Sequence, residues 1–238
     1  NGDDYIGVTR QDMPYDALLI GSGDRSTPSA IDTSDMFFMI KDKNIITQSF
    51  VGENPAPSTI TISDLYNYTN DPFGQSLSAT AQTELEIAVT SKEGWYIDFA
   101  ADSEKSMSSA TALAGVAYFN TFTPAESVSG GQCTLNTGSG KLYAVDLAQG
   151  TSIYNWSNTD SSGRDYLDVG DRVPDTPTVV IPPPEEGVAG SGKIMFVGVG
   201  AGSDGQGGTG NGTLTLCEAS NCDVLNGFTL ETMRTHLY

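Results

Sequence analysis

The chain has 238 residues, with 27 glycines and 11 prolines, and its 30 acidic side chains outnumber 11 basic ones for a net charge of −19. That length holds one large all-β domain or two small ones, and the Gly/Pro content favours short strands joined by turns. The charge balance excludes nucleic acid as a partner, and no apolar run reaches the roughly 18–20 residues of a membrane-spanning helix. A surface this negative stays soluble and attracts divalent cations. Its plainest source is secretion into a salty environment. The sequence begins without an initiator Met or a signal peptide, so it reads as a processed or partial product with its targeting segment elsewhere.

In chain order, residues 1–11 are polar and acidic, an edge or tail. Residues 15–21 (YDALLIG) read as a buried strand, and Ser22-Gly23-Asp24-Arg25 as a turn held by an Asp24–Arg25 pair. Residues 27–35 form a polar loop, 36–40 (MFFMI) the next strand, and 41–44 close the pair. Residues 51–93 break the β pattern and read as an insertion with short helices packed on the rim. Pro55 and Pro57 mark a loop there, and Ser63 is placed to cap a helix starting at Asp64-Leu65-Tyr66. Residues 79–89 have helical composition, with Ala81, Leu85 and Ala88 on one face. Strand pattern resumes at 94–99 (GWYIDF), and 106–113 lead back to the central unit.

That unit is 115–156. Val116, Tyr118 and Phe122 lie in an aromatic and β-branched run, as a strand wants. In the next strand, 141–146, Leu142, Ala144 and Asp146 point one way and Tyr143 and Val145 the other. Ala148-Gln149-Gly150 supplies a turn, and 152–156 return as a third strand ending on Trp156. Strand, loop, strand, tight turn, strand is how one blade of a β-propeller is written; an ordinary sandwich meander fits the same stretch. A blade takes about 40–45 residues, so the chain holds three or four. Residues 157–171 read as an acidic loop and 174–181 as extended chain. Pro182-Pro183-Pro184 open a stiff Pro/Gly connector over 182–192. Strands are expected at 193–199 and 213–217, a flexible Gly-rich loop between them at 198–212, and a final strand and tail over 226–238.

Candidate sites are few. Cys217 and Cys222 flank a short polar turn and suit a local disulfide in an oxidising compartment. The competing reading is zinc, which would have to recruit His236 and Cys133; Cys133 is otherwise left over. Asn158, Asp160 and Ser162 fall at alternate positions before Gly163, like the first half of an EF-hand loop, which makes calcium the candidate ion. Position twelve, where a bidentate Glu belongs, is Val169, and Asp165, Asp168 and Asp171 are out of register, so a solvated turn competes. Residues 21–26 begin like a dinucleotide fingerprint but lack the third glycine, and Pro28 stands where a helix would start. A Ser-His-Asp triad would rest on His236, third from the end. Trp95, Tyr96, Trp156 and Tyr118 suit either a carbohydrate platform or core packing. Asn67, Asn155 and Asn211 begin glycosylation sequons.

Taken together, YDALLIGSGDRSTPS, DMFFMIKD, EGWYIDF and GVAYFNTFTP, then Cys133 and GSGKLYAVDLAQG, occur in an order that resembles the C-terminal propeller of the PilC/PilY family of type IV pilus tip proteins. The closing RTHLY resembles a degraded form of that family's terminus. The resemblance covers about residues 15–200. It implies an all-β fold, a partial β-propeller of quinoprotein-like blades with a small helical insertion, forming one domain over 1–238 or its C-terminal part. It implies a non-enzymatic adhesin and pilus-biogenesis protein, exported through the periplasm and exposed at the pilus tip on the cell surface. Its partners would be minor pilins, a surface or host-cell ligand, and the upstream part of the same protein. The family's own calcium loop lies N-terminal to the matching region, so calcium is not carried over with the resemblance. The LYAVD…G turn is shared with quinoprotein-like propellers, so a secreted dehydrogenase of that type is the enzymatic alternative. A structural subunit of an extracellular filament is the third.

Overall fold

A computed structural model describes residues 15–43, 58–99, 103–125, 138–154, 164–170 and 173–180, with three further strand segments, 195–197, 208–209 and 213–215. Among the described residues the fold is all-β with one α-helix. Sheet 1 contains β1 (Asp16–Gly21), β2 (Met36–Asp42), β3 (Tyr66–Asn67) and β4 (Gly94–Asp98), in the order β1-β2-β4-β3. Sheet 2 is an antiparallel meander of β5 (Thr111–Leu113), β6 (Val116–Thr123), β7 (Ser139–Asp146) and β8 (Leu167–Gly170). Sheet 3 contains β9 (Thr178–Val180), β10 (Met195–Val197), β11 (Gly208–Thr209) and β12 (Thr213–Thr215). The helix α1 (Ala79–Thr90) is capped by the Ser78 hydroxyl, which accepts from the Ala81 N–H at 3.2 Å. No helix among the described residues is long and apolar enough to cross a membrane.

Alternation builds the core. Phe37 and Met39 on β2 and Trp95 and Ile97 on β4 point to one side of sheet 1, where they meet Ala117, Phe119, Tyr143 and Val145 of sheet 2. Phe37 stacks on Phe119 at 3.8 Å between ring centroids, and Phe119 on Tyr143 at 5.1 Å. Each such side chain contributes about 1.5–3 kcal/mol by leaving water. The opposite side of sheet 2 is also covered: Val116, Tyr118, Leu142 and Ala144 pack with Tyr154 and Val169. β6 and β7 are therefore apolar on both faces, which explains their nearly unbroken hydrophobic runs.

Several expectations need correction. The strand at 15–21 is not buried: as β1 it lies at the edge of sheet 1, with Ala17 and Leu19 turned to the core and Leu18 and Ile20 52% and 56% exposed. The insertion at 51–93 is not confined to the rim. Within its described part, β3 pairs in parallel with β4, and Tyr68 is fully buried against Trp95 at 5.5 Å. The short helix there is a 3-10 turn, Ile62–Asp64, ahead of a strand. Thr61 rather than Ser63 starts it, donating its N–H and Oγ1 to the Asp64 carboxylate at 2.8 and 2.7 Å. On α1 Ala88 is exposed, and the inward stripe is Ala81, Leu85 and Val89, four residues apart and nearly one above the other. Of the third strand expected at 152–156, Asn155 and Trp156 lie outside the described residues, and among the described ones only Ser152 makes a bridge, to Val145. β8 pairs with the other end of β7, Gly140–Leu142, from within the segment read as an acidic loop, where Leu167 and Val169 alternate with Asp168. β11 likewise falls inside the Gly-rich 198–212. The connector at 182–192 and the tail at 226–238 lie outside the described residues.

Candidate functional site

Several buried polar side chains lie along the seam between sheets 1 and 2, where two structures hold the sheets together. The first is the turn after β7. Asp146 ends the strand, and its Oδ1 accepts from the N–H groups of Ala148 (2.9 Å) and Gln149 (2.7 Å), while the Gly150 N–H donates to the Asp146 carbonyl at 2.7 Å. An aspartate here folds the chain back on itself because its short carboxylate mimics a backbone acceptor. The turn points its Leu147 carbonyl at sheet 1, where the Trp95 indole N–H donates to it at 3.0 Å. Gly150 has φ 62° and lies close against the Tyr68 ring. The Arg164 guanidinium closes the joint, donating to the carbonyls of Gly150 and Tyr68. Burial pulls the Arg164 pKa down, and the nearby Asp71 carboxylate opposes that pull. Asp71 in turn accepts from the N–H groups of Gly74 and Ser152, both at 3.1 Å.

The second structure is a pair of opposite charges adjacent in sequence and buried. Glu104 is 4% exposed and Lys105 1%. The Lys105 backbone exchanges two hydrogen bonds with Phe122, at 3.0 and 2.9 Å, which holds the segment extended and sends the two side chains to opposite sides. Glu104 accepts from Lys141 Nζ at 2.5 Å, from the Tyr143 hydroxyl at 2.9 Å and from Thr121 Oγ1. Lys105 Nζ donates to the Ala30 carbonyl and to Thr33 Oγ1, both at 2.6 Å, and stands 4.0 Å from the Asp35 carboxylate. Burial, and then the Glu104 charge, drive the Tyr143 pKa well above its ordinary value. Burial and the bond to Tyr154 do the same to Tyr118, whose hydroxyl lies 3.2 Å from that of Tyr154. Each charge in this strip faces a partner of opposite sign or a carbonyl, an arrangement that fixes geometry rather than presenting a reactive group.

The other cations of the described residues are also engaged within the protein. Lys41 donates to the Lys92 carbonyl, Lys92 to the Ser63 carbonyl, and Lys43 to Glu93. Arg25 pairs with Asp175 at 3.6 Å, not with Asp24 as the sequence suggests. Asp24 accepts instead from the Ser26 N–H and hydroxyl, which lowers its pKa.

Asn158, Asp160 and Ser162, the candidate calcium ligands, lie outside the described residues, as do Cys133, Cys217, Cys222, His236 and Trp156. Val169 is buried on β8, and the Asp168 carboxylate accepts from the Gly170 N–H at 2.8 Å. Among the described residues no group of three or more His, Cys, Asp or Glu is placed to hold a metal ion. Trp95 and Tyr118 are each 1% exposed, so these two are core residues rather than a platform. Asn67 is exposed, its side-chain carbonyl accepting from the Thr69 N–H at 2.9 Å. Sequence reasoning did not single out Glu104, Lys105 or Arg164. Nothing local marks them: Glu104 and Lys105 sit in the polar stretch DSEKS and Arg164 in the segment read as an acidic loop, and their partners are remote in sequence. No protein family, curated protein or solved structure matches the chain.

Proposed function

We propose that this chain is a propeller-type module of a type IV pilus tip-associated protein, acting without catalysis by presenting a rigid surface. Successive four-stranded sheets pack face to face as blades, with minor pilins on one side and a surface or host ligand on the other. The observation that carries the reading is the burial of sheet 2. Sheet 2 buries apolar side chains on both faces, which suits a blade between neighbours better than one layer of a two-sheet sandwich. The turn of the LYAVD…G motif also locks to the neighbouring sheet through Trp95 and Leu147, joining two of the motifs on which the pilus-tip resemblance rests. The experiment is a pull-down of minor pilins with the full chain, together with deletion of its gene and assays of piliation and adhesion. Recovery of minor pilins and loss of either phenotype are expected. No recovered pilin and unchanged phenotypes would overturn the proposal. Because the same turn is shared with quinoprotein-like propellers, an absorbance spectrum of the purified protein distinguishes the enzymatic alternative: a bound quinone would favour it.

A further inference from the structure

The open edge of sheet 1 has the chemistry of a strand acceptor. β1 has β2 on one side and, among the described residues, no strand on the other. Ser22, in register opposite Met36, donates its N–H to the Met36 carbonyl at 2.9 Å. Backbone groups alternate along an antiparallel strand, so the even-numbered residues of β1 face β2 and Ala17 and Leu19 turn their N–H and C=O groups to the open edge. The opening is bounded at one end, where the Gly23 N–H donates to the Ser106 carbonyl at 3.0 Å.

Among the described residues this edge lacks most of the usual guards. DALLIG contains no Pro and no Lys, and its pairing with β2 runs unbroken from Asp16↔Asp42 to Gly21↔Phe37, without a bulge. Leu18 and Ile20 are more than half exposed on the outward face. They stand opposite Ile40 and Phe38 on β2, and Phe38 reaches Tyr96 on β4 at 6.4 Å. An apolar row thus runs from the open edge across the sheet. Its flank carries the exposed carboxylate of Asp16, in a protein whose net charge is −19 and whose described cations are engaged internally.

We infer that β1 accepts an extended segment of a partner protein as an additional strand of sheet 1. The backbone groups at Ala17 and Leu19, which have no strand partner among the described residues, select an extended backbone. Leu18 and Ile20 select apolar side chains at alternate positions, and the acidic flank selects a Lys or Arg beside them. This inference stands on sheet 1 alone and does not require the pilus-tip reading.

The test uses the full chain and a fluorescently labelled, acetylated peptide, Lys-Val-Thr-Val-Thr-Val-Thr-Lys, titrated by anisotropy. Saturable binding with Kd below about 1 mM is expected, weakened at least about tenfold when Glu replaces both flanking lysines. Leu18→Lys and Ile20→Lys change exposed side chains, and Ala17→Pro removes an outward N–H; each is expected to weaken binding at least about tenfold with the circular dichroism spectrum unchanged. The two lysine variants decide the matter where Ala17→Pro disturbs the fold. Absence of saturable binding, binding indifferent to both lysine substitutions, or a concentration-dependent dimer that excludes the peptide would each overturn the inference. No pilin enters this assay, so its failure leaves the pilin pull-down to be judged separately.

Discussion

Replacing Gly150 by alanine places a methyl group where the Tyr68 ring already lies. The added Cβ would sit 2.1 Å from Tyr68 Cδ2 and 2.8 Å from Cε2, and the residue has φ 62°. A left-handed backbone costs a residue with a Cβ roughly 1–2 kcal/mol. Forcing extra volume into a packed site costs about 1–3 kcal/mol more, so the total is about 2–5 kcal/mol. In a domain of this size that lowers Tm by roughly 5–15 °C. Gly115 supplies the control: it has φ 78° but nothing within 4 Å of the added Cβ, so Gly115→Ala carries the backbone cost alone. Urea unfolding followed by tryptophan fluorescence measures both variants. Gly150→Ala is expected to exceed Gly115→Ala by the packing cost, and Tyr68→Leu in the same chain should return part of the excess. Equal losses for the two glycine variants would refute the contact between the β7 turn and sheet 1.

Trp95→Phe keeps a ring in the core but leaves the Leu147 carbonyl without its donor; a loss of about 1–3 kcal/mol in chemical unfolding is expected. Glu104→Gln leaves Lys141 Nζ buried without its anion and should cost about 3 kcal/mol. Adding Lys141→Met should then destabilise less than the two single losses summed, as a double-mutant cycle reads. Tyr118, Tyr143 and Tyr154 all have pKa values raised above the ordinary 10.0, with burial as the leading cause. Their contribution is complete below that value and is lost as pH rises through it, because the unfolded chain ionises first. The urea midpoint should therefore fall above about pH 10, and less steeply in Tyr143→Phe; a midpoint unchanged between about pH 9 and 11 would refute this. Asp24 and Asp64 have pKa values lowered from 3.8, chiefly by hydroxyl bonds from Ser26 and Thr61. Their contribution is present above that pH and lost below it, so Asp64→Asn should flatten the acid limb of the stability curve.

How legible these features were depended on how local their causes are. β6 and β7 could be read because side chains such as Val116, Tyr118, Leu142 and Val145 declare a strand whichever face is buried. β8 was hidden because Leu167 and Val169 sit among aspartates and glycines, and composition outweighed a short alternation. Thr61 and Ser63 are equally good cap residues; the choice fell to Asp64, which reaches back to Thr61. The strand containing Leu18 and Ile20 was read as buried because sequence gives a strand's hydrophobicity but not its place in the sheet order. Glu104, Lys105 and Arg164 were missed because an isolated charge reads as solvated until distant acceptors such as Ala30, Thr121 and Tyr68 are brought to it. Arg25 chose Asp175 over its neighbour Asp24 for the same reason: proximity in the chain is not proximity in space.

Having both sides of β7 in oily surroundings carries a hazard of its own. Most strands keep alignment because sliding by one residue would thrust polar groups inward and greasy ones into water. Here a slip merely exchanges Tyr143 and Val145 for Leu142 and Ala144, so hydrophobicity does not police the alignment. The task falls to fixed points at the strand's two ends: the pairing shift between Gly140 and Lys141 with the ion pair just beyond it, and the Asp146 turn bolted to Trp95. Weakening both ends together should yield a chain that still collapses with its strands out of step.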